Sequence, residues 1–147
     1  MSGAHPSADR LRLGVDELNA FLQAAFPAND PAAIGQVVSA RPGQVVVHLT
    51  SGDRSLRPGG IVSGPTLMGL ADCAAYALVA AHVGDEKMAV TTSLSMHFLR
   101  AATPGTIVAQ ANLMRLGRRI VTMEVRLSTL GGPGVAAHAT VAYALPG

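Results

Sequence analysis

The sequence predicts an α+β domain in which an antiparallel sheet wraps around one long apolar helix. The run from Thr66 to Val83 consists almost entirely of small and apolar residues. A helix that is apolar on all sides must be covered on all sides, which a curved sheet achieves. The segments after this run alternate between apolar and polar residues, as strands with one buried face do, and Gly and Pro residues separate them.

The first part of the chain predicts one short helix and a strand hairpin. Apolar residues recur at helical spacing between Val15 and Phe26, with acidic residues in the first turn. The segments Ile34–Ala40 and Gln44–Thr50 are typical of strands, and the Arg-Pro-Gly turn between them favours a hairpin. The residues from Ser51 to Val62 are predicted to form a loop, because Gly, Pro, Ser and Arg dominate them.

The long helix is predicted to begin after Ser63 and to end before Gly84. Ser63 is a favourable N-cap residue, and Pro65 suits an early helical position because proline has no N–H to lose there. Four strands are predicted to follow, with consecutive strands paired antiparallel: Met88–Leu99, Thr106–Met114, Arg119–Leu130 and Val135–Leu145.

Length and composition limit the classes of protein to which the chain can belong. With 147 residues, 49% of them hydrophobic, the chain is long enough for one domain, which we expect over residues 15–147 after a flexible N-terminal lead at 1–14. A net charge of +2, with only 14% of residues charged, gives no reason to expect nucleic acid as a partner. The single cysteine, Cys73, and the lack of a signal-like segment favour a cytoplasmic protein.

Asp72 is the one carboxylate in the apolar run, and it needs a physical explanation. Burying an ionised carboxylate without partners costs several kcal/mol, so the position implies either pairing, for example with Arg57, or chemistry. A membrane helix is disfavoured, because a central Asp would cost about 2.5 to 3.5 kcal/mol on insertion. A metal site is not expected, because the histidines of the chain stand singly, without ligand spacing.

Three stretches of the sequence carry a family resemblance: Ser63-Gly64-Pro65, Leu70-Ala71-Asp72 and the strand from Ala89 to Arg100. Together with the order of elements from about Val15 to Leu145, they resemble the hotdog fold and, within it, the small thioesterases of the PaaI-like (phenylacetate-pathway) family. The resemblance implies an acyl-CoA thioesterase, with a coenzyme A thioester of a small to medium acyl or aryl group as substrate and no further cofactor.

In that family a His-Gly-Gly element opens the long helix, and an acidic residue lies nine positions after the histidine; Ser63 and Asp72 have this separation. The resemblance therefore implies that Asp72 is the catalytic carboxylate, either as general base toward water or as nucleophile. It also implies that the Gly64 N–H polarises the thioester oxygen and that Thr91 holds the water or the carboxylate. The chain departs from the family element at Ser63 and Pro65, and proline lacks a donor.

Coenzyme A carries phosphates that need cationic contacts. Arg118 and Arg119 lie in a turn that the family often fills with Gly-Lys or Gly-Arg, and Arg100 follows the strand that contains Phe98. The resemblance makes these arginines candidates for binding coenzyme A. Phe98 is a candidate for shaping the acyl pocket, and Arg57 stands where the family often has an asparagine.

The spacing along the helix bears on the number of chains in one site. Ser63 and Asp72 are about 13 Å apart along a helix axis and about 180° apart in phase, so they cannot meet at one carbonyl within one chain. We therefore expect a homodimer, and a homotetramer built as a dimer of dimers is common in the family. The alternative is a non-catalytic acyl-CoA or acyl-carrier binding protein on the same fold; hydratase chemistry is less favoured, because no Asp and His are suitably spaced.

Overall fold

The computed structural model describes residues 5–27 and 34–147, and its centre is a six-stranded antiparallel sheet packed against one long helix. The helices are α1 (Val15–Ala25) and α2 (Gly64–Val83). The eight strands are β1 (Gln36–Arg41), β2 (Gln44–Thr50), β3 (Leu56–Arg57), β4 (Ile61–Val62), β5 (Val90–Phe98), β6 (Thr106–Leu116), β7 (Ile120–Thr129) and β8 (Val135–Ala144). This is the predicted α+β arrangement and the hotdog fold that the resemblance implied.

Helix α2 begins and ends where the sequence predicts. The Ser63 hydroxyl accepts a hydrogen bond from the Thr66 N–H, Pro65 lies in the first turn, and Gly84 closes the last turn through its N–H to the Ala80 carbonyl. The helix packs on all six strands of the main sheet. It is long and apolar enough to cross a membrane, but 67% of its apolar window is buried inside the protein, which is typical of a core helix.

The order of the strands differs from the predicted one at a single place. The main sheet has the order β1-β2-β6-β7-β8-β5, so β5 pairs with the last strand and not with β6, which follows it in sequence. Between β2 and β5 the chain runs along the sheet as α2, which packs on all six strands, and β5 then pairs at the far edge. The β1–β2, β6–β7 and β7–β8 pairs are antiparallel neighbours, as predicted.

The segment before α2 is more ordered than the predicted loop. A 3₁₀ turn at Asp53–Ser55 leads into β3, which pairs with β4 as a short hairpin. Gly59 and Gly60 make its turn, with φ angles of 97° and 73° that residues with a side chain rarely adopt. The hairpin delivers the chain to the start of α2, because the Ser63 N–H donates to the Ser55 carbonyl at 2.7 Å.

The two edges of the main sheet are treated differently. At β1, the Asn19 side chain from α1 donates to the Val37 carbonyl at 3.0 Å and accepts from its N–H at 2.8 Å, which covers the edge. At the other edge, most residues of β5 are exposed, and neither a charge nor a proline interrupts them. An uncharged, exposed edge strand of nine residues is a template for pairing with another strand.

The buried imidazole of His82 ties three parts of the chain together. Its Nδ1–H donates to the carbonyls of Ser7 and Arg10, at 2.8 and 3.1 Å, and its Nε2 accepts from the Gly43 N–H at 3.1 Å. These partners fix the tautomer, because carbonyls only accept and an amide N–H only donates. Residues 1–4 of the predicted flexible lead lie outside the described residues, and the domain boundary at 14/15 stays a prediction.

Candidate active site

The carboxylate of Asp72 is half-buried on α2 and is bonded by two hydroxyl groups. The Thr91 hydroxyl donates to Asp72 Oδ1 at 2.8 Å, and the Tyr143 hydroxyl donates to the same oxygen at 2.6 Å. The Tyr143 hydroxyl also lies 3.2 Å from the main-chain carbonyl of Asp72. The carboxylate is therefore paired through hydrogen bonds, and the predicted alternative of a pairing with Arg57 is not what the structure contains.

The register of the sheet brings the two hydroxyl donors together. Thr91 of β5 and Tyr143 of β8 are direct cross-strand partners, so their side chains leave the same face of the sheet toward α2. The register shifts between Thr91 and Ser93, which is a β-bulge directly after the first donor. Bulges re-aim neighbouring side chains and are frequent at active sites.

The phenol of Tyr143 stays protonated, and so remains a hydrogen-bond donor, near neutral pH. Burial raises its pKa well above the ordinary value, and the hydrogen bond to Asp72 raises this pKa further. The side chain is 3% exposed. Tyr143 therefore presents a fixed neutral donor to the carboxylate and does not serve as a base near neutral pH.

A cavity of about 460 Å³ opens beside Asp72 and runs along α2. Its volume lies within the ordinary range of small-molecule sites, and its walls are mainly apolar. Half of the lining residues are aromatic or aliphatic: Phe26, Ile34, Leu49, Pro65, Leu70, Tyr76 and Tyr143. The others are Gly69, Cys73 and the polar residues Thr50, Arg54, Ser55, Thr66 and Asp72. The carboxylate thus meets an apolar cavity large enough for an acyl or aryl group.

Two side chains of this cavity bear on its chemistry. Tyr76 stacks on Tyr143, with ring centroids 5.8 Å apart, and its hydroxyl donates to the Lys87 carbonyl, so the stack supports Tyr143 from behind. The Cys73 thiol donates to the Ile34 carbonyl, and burial, followed by the charge of Asp72, raises its pKa to about 12. A thiol with this pKa is not a nucleophile at neutral pH.

The start of α2 forms a second group of predicted site residues. The Ser63 hydroxyl bonds the Thr66 hydroxyl at 2.8 Å, and the Thr66 hydroxyl in turn donates to the Ser55 carbonyl, so the Ser63 proton points into the cap. Gly64 is the first helical residue and has no acceptor within the helix for its N–H. No other described residue accepts from it. The donor is thus available to a ligand, whereas the Ser63 hydroxyl is occupied.

A second cavity, of about 480 Å³, lies against the Gly64 end of the helix. Phe98, Arg57 and Arg100 line it together with Gly64. All three side chains are exposed, and Phe98 packs over the helix start: a Cβ placed on Gly64 would lie 3.5 Å from its ring. Four of the residues singled out in the sequence therefore share one cavity.

The structure does not bring the two groups of predicted residues together within one chain. Asp72 and Gly64 are eight positions apart on the helix, about 12 Å along its axis, and they line different cavities. In the sheet, Thr91 lies at the start of β5 and Phe98 at its end. One chain therefore contains both halves of the predicted site, at opposite ends of its free edge strand.

Arg118 and Arg119 are exposed in the turn between β6 and β7. Ile120 and Val90 both pair with Ala144, so this turn lies at the same end of the sheet as Thr91. The two arginines are therefore near the Asp72 end of their own chain and far from the end that carries Phe98.

Tyr143 is the site residue that the sequence reasoning missed. The alternation of β8 places it on the inward face, with Ala139 and Val141, and a hydroxyl on a strand face that is otherwise buried and apolar needs a polar partner. That signal was available, but the sequence alone does not show that β8 pairs with β5 beside Asp72.

Comparison with known proteins gives a match to one family and to several solved structures. A model of the thioesterase superfamily matches residues 59–136, which include α2 with Asp72 and the strand with Thr91. A crystal structure from Silicibacter sp. TM1040, assigned as a thioesterase, is 33% identical, with a TM-score of 0.84; the match covers 99% of this chain and 100% of the other. No curated protein matches the sequence significantly.

Two further similar structures are of proteins named for the degradation of phenylacetic acid. A phenylacetic acid degradation-related protein of Ralstonia eutropha JMP134, also assigned as a thioesterase, is 27% identical over 85% of this chain and 98% of the other, with a TM-score of 0.72. The E. coli PaaI protein shares the fold at 20% identity over 90% and 96% of the two chains, also with a TM-score of 0.72. The chain belongs to the thioesterase superfamily, with PaaI-type proteins among its structural neighbours.

Proposed function

We propose that the protein hydrolyses the thioester of a small to medium acyl- or aryl-CoA, with Asp72 acting at an interface between two copies of the chain. The observation that carries the proposal is the placement of Asp72: two hydroxyl donors hold the carboxylate beside an apolar cavity of about 460 Å³. A carboxylate with fixed orientation is what a general base or a nucleophile needs. The cavity offers room for the acyl group.

The free edge of the sheet supports a homodimer. Of the two edge strands, β1 is covered by Asn19, whereas β5 is exposed and uncharged, and Val90 and Phe98 at its two ends are 55% and 52% exposed. Antiparallel pairing of β5 with the β5 of a second copy would bury this edge. We expect two such dimers to associate further into a homotetramer, as the resemblance implies; the mass in solution tests both steps.

The same pairing would complete the site. In a two-fold antiparallel pair, the Thr91 end of one β5 lies beside the Phe98 end of the other. Phe98 packs on Gly64, so the helix start of the second copy would approach Asp72 of the first. Each site would then combine Asp72 and Thr91 of one chain with Gly64 of the other, which neither chain achieves alone.

The chemistry divides between these two halves. With Asp72 as general base, the carboxylate takes a proton from water while the water oxygen bonds to the thioester carbon. The carbonyl oxygen becomes an oxyanion that accepts from the Gly64 N–H; the C–S bond then breaks, and the coenzyme A thiolate leaves and takes up a proton. With Asp72 as nucleophile, the carboxylate oxygen bonds to the thioester carbon, the C–S bond breaks, and the coenzyme A thiolate leaves and takes up a proton. Water then hydrolyses the resulting mixed anhydride, which releases the acid and restores the Asp72 carboxylate.

A single turnover in ¹⁸O-water distinguishes general-base attack from a nucleophilic route in which water opens the anhydride at the Asp72 carbon; opening at the acyl carbon would label the acid as general-base attack does. With enzyme in excess and one round of reaction, a general base transfers a water oxygen directly, so the released acid contains ¹⁸O. A nucleophilic carboxylate transfers one of its own oxygens when water attacks the carboxylate carbon of the anhydride, so the acid released in the first turnover contains no ¹⁸O from solvent.

Two pairs of arginines could bind the phosphates of coenzyme A in this arrangement. Arg57 and Arg100 line the cavity at Gly64, and Arg118 and Arg119 lie at the Thr91 end. In the proposed dimer the first pair would come from the copy that supplies Gly64 and the second from the copy that supplies Asp72. Both pairs are exposed, as contacts to a soluble nucleotide must be.

The proposal is tested by hydrolysis of a panel of acyl- and aryl-CoA thioesters with wild type, Asp72→Asn and Asp72→Ala. We expect the wild type to release coenzyme A and both variants to lose at least about 100-fold in kcat. Binding of the same thioesters is measured alongside by calorimetry. Wild-type rates equal to those of both variants, with binding intact, would identify a non-catalytic acyl-CoA binding protein and would refute the enzyme.

A further inference from the structure

One phenolic hydroxyl contacts both the side chain and the main chain of Asp72. The Tyr143 oxygen lies 2.6 Å from Asp72 Oδ1 and 3.2 Å from the Asp72 carbonyl oxygen. The shorter bond restricts rotation of the carboxylate about the side-chain bonds, because turning the carboxyl away breaks it.

The two hydroxyl donors converge on one oxygen of the carboxylate. Thr91 and Tyr143 both donate to Oδ1, at 2.8 and 2.6 Å. Among the described residues, no side chain or N–H donates to Oδ2. The arrangement is therefore asymmetric: Oδ1 is anchored, and Oδ2 remains free for a ligand or water.

We propose that Tyr143 is a positioning residue that anchors Asp72 through Oδ1, so that Oδ2 is the oxygen that acts on water or on the thioester. The inference rests on the proposed function and assigns to Tyr143 a part that neither the sequence motifs nor the family comparison gives it. Thr91 shares the anchoring from the exposed side of the site, and Tyr143 supplies it from the buried side.

The surroundings of Tyr143 suit a rigid anchor. Its ring is 3% exposed and stacks on Tyr76, which packs in turn against Phe21 and Phe26 of the first helix and its end. The Tyr76 hydroxyl is held by the Lys87 carbonyl. The donor therefore stands on a packed aromatic column and not on a mobile loop, which is what a fixed geometry requires.

Tyr143→Phe tests the inference, because it removes the hydroxyl and keeps the ring that packs and lines the cavity. We expect kcat to fall about 10- to 100-fold, since a misplaced catalytic group costs this much, while KM changes less than about threefold. Thr91→Val removes the other hydroxyl donor to Oδ1, on the exposed side of the site. It therefore tests the anchoring of Oδ1 even if Tyr143→Phe fails to fold. Urea unfolding of each variant measures the structural cost separately.

A double-mutant comparison decides whether Tyr143 acts through Asp72. In the Asp72→Asn background, Tyr143→Phe should lower the residual kcat less than about twofold, because the carboxylate that it positions is already gone. Crystal structures of wild type and Tyr143→Phe should show the Asp72 carboxylate rotated or in two orientations in the variant only.

The outcomes separate the inference from the proposed function. If the wild type hydrolyses thioesters and Asp72→Asn does not, but Tyr143→Phe keeps the wild-type kcat, the positioning role is refuted and the proposed function stands. An equal loss from Tyr143→Phe in the wild-type and Asp72→Asn backgrounds also refutes it, because the hydroxyl would then act independently of the carboxylate. A wild type that hydrolyses no thioester of the panel refutes both.

Discussion

Replacing Gly64 by proline would delete one N–H group at the start of α2, and urea unfolding measures the cost of a helical proline directly before Pro65. Gly64 is the first residue of α2, a position where proline is favoured because its missing N–H has no partner in the helix. The residue before a proline must be extended, and Ser63 already is, with φ −72° and ψ 153°. The substitution therefore tests the donor that the proposed mechanism assigns to the thioester oxyanion.

The expected loss follows from the number of donors at the helix start. Pro65 has no N–H, and the Ser63 hydroxyl is committed to Thr66, so Gly64 supplies the donor that this stretch can offer. Removing one oxyanion donor costs about 10²- to 10³-fold in kcat, or about 2.7 to 4 kcal/mol. Gly64→Ala is the matched control: its Cβ would meet the Phe98 ring at 3.5 Å, an ordinary contact, and the N–H remains.

Mixing two inactive variants then tests whether the site is shared between chains. Suppose that one copy has Asp72→Asn and the other has Gly64→Pro. In a mixed dimer with shared sites, one site receives both defects and the other receives the intact Asp72 and the intact Gly64. Random pairing of equal amounts makes half of the dimers mixed, so activity should return to about 25% of wild type.

The assay is release of free coenzyme A thiol from the best thioester of the panel, before and after co-refolding of the two variants. Each variant refolded alone gives the background, and wild type refolded alone gives the full value. A mixture that shows only the background, although mixed dimers are detected by two different tags, would refute the shared site. A Gly64→Ala variant as slow as Gly64→Pro would refute the role of the N–H, because only the Cβ is common to both.

Three further predictions concern residues outside the Asp72–Gly64 pair. Burial raises the pKa of Cys73 from an ordinary 9.0 to about 12. Alkylation of Cys73 by iodoacetamide near pH 8 should therefore be about 1,000-fold slower than that of a free thiol, and its rate should still rise with pH at about pH 10. Fast labelling at neutral pH would contradict this. Alanine at both Arg118 and Arg119 should raise KM about tenfold for acyl-CoA but not for the acyl-pantetheine, which lacks the nucleotide; equal effects on both would exclude contacts with the nucleotide phosphates. His82→Leu should lower the free energy of unfolding in urea by about 1 to 3 kcal/mol, because its backbone partners lose their bonds, whereas the same change at the exposed His5 should have little effect.

Short sequence patterns predicted the helices and most strands of the fold, but they did not predict that β5 pairs with β8. The cap at Ser63, the apolar run of α2 and the alternation along β7 each depend on neighbours within a few residues, and the structure confirms all three. The pairing of β5 with β8 joins residues about 50 positions apart, such as Thr91 and Tyr143. The hydroxyl groups of these two residues lie 2.8 and 2.6 Å from one oxygen of the Asp72 carboxylate. Turn residues cannot encode such a partner, because they act only on the two strands that they connect.

The same limit explains which part of the site was predictable. Asp72 could be singled out because a lone carboxylate in an apolar helix is costly, and Thr91 because a family motif surrounds it. The structure brings these two together, whereas their catalytic roles stay a proposal. Tyr143 carries no motif and is identified only once the sheet register is known. The β3–β4 hairpin was predicted as a loop because its strands are two residues long, although Gly59-Gly60 signalled the turn.

The departures from the family element at the helix start bear on the proposed roles of Gly64 and Asp72. With Pro65 in place of a glycine and the Ser63 proton bound in the cap, the proposed mechanism leaves stabilisation of the oxyanion to the Gly64 N–H. Less stabilisation on that side places more of the demand on the carboxylate, whose orientation decides how well a proton or a bond is transferred. In the proposed dimer, the two hydroxyl donors on one Asp72 oxygen would meet this demand. We therefore expect Tyr143→Phe and Gly64→Pro each to lower kcat, although the proposal places the two residues of one site in different chains.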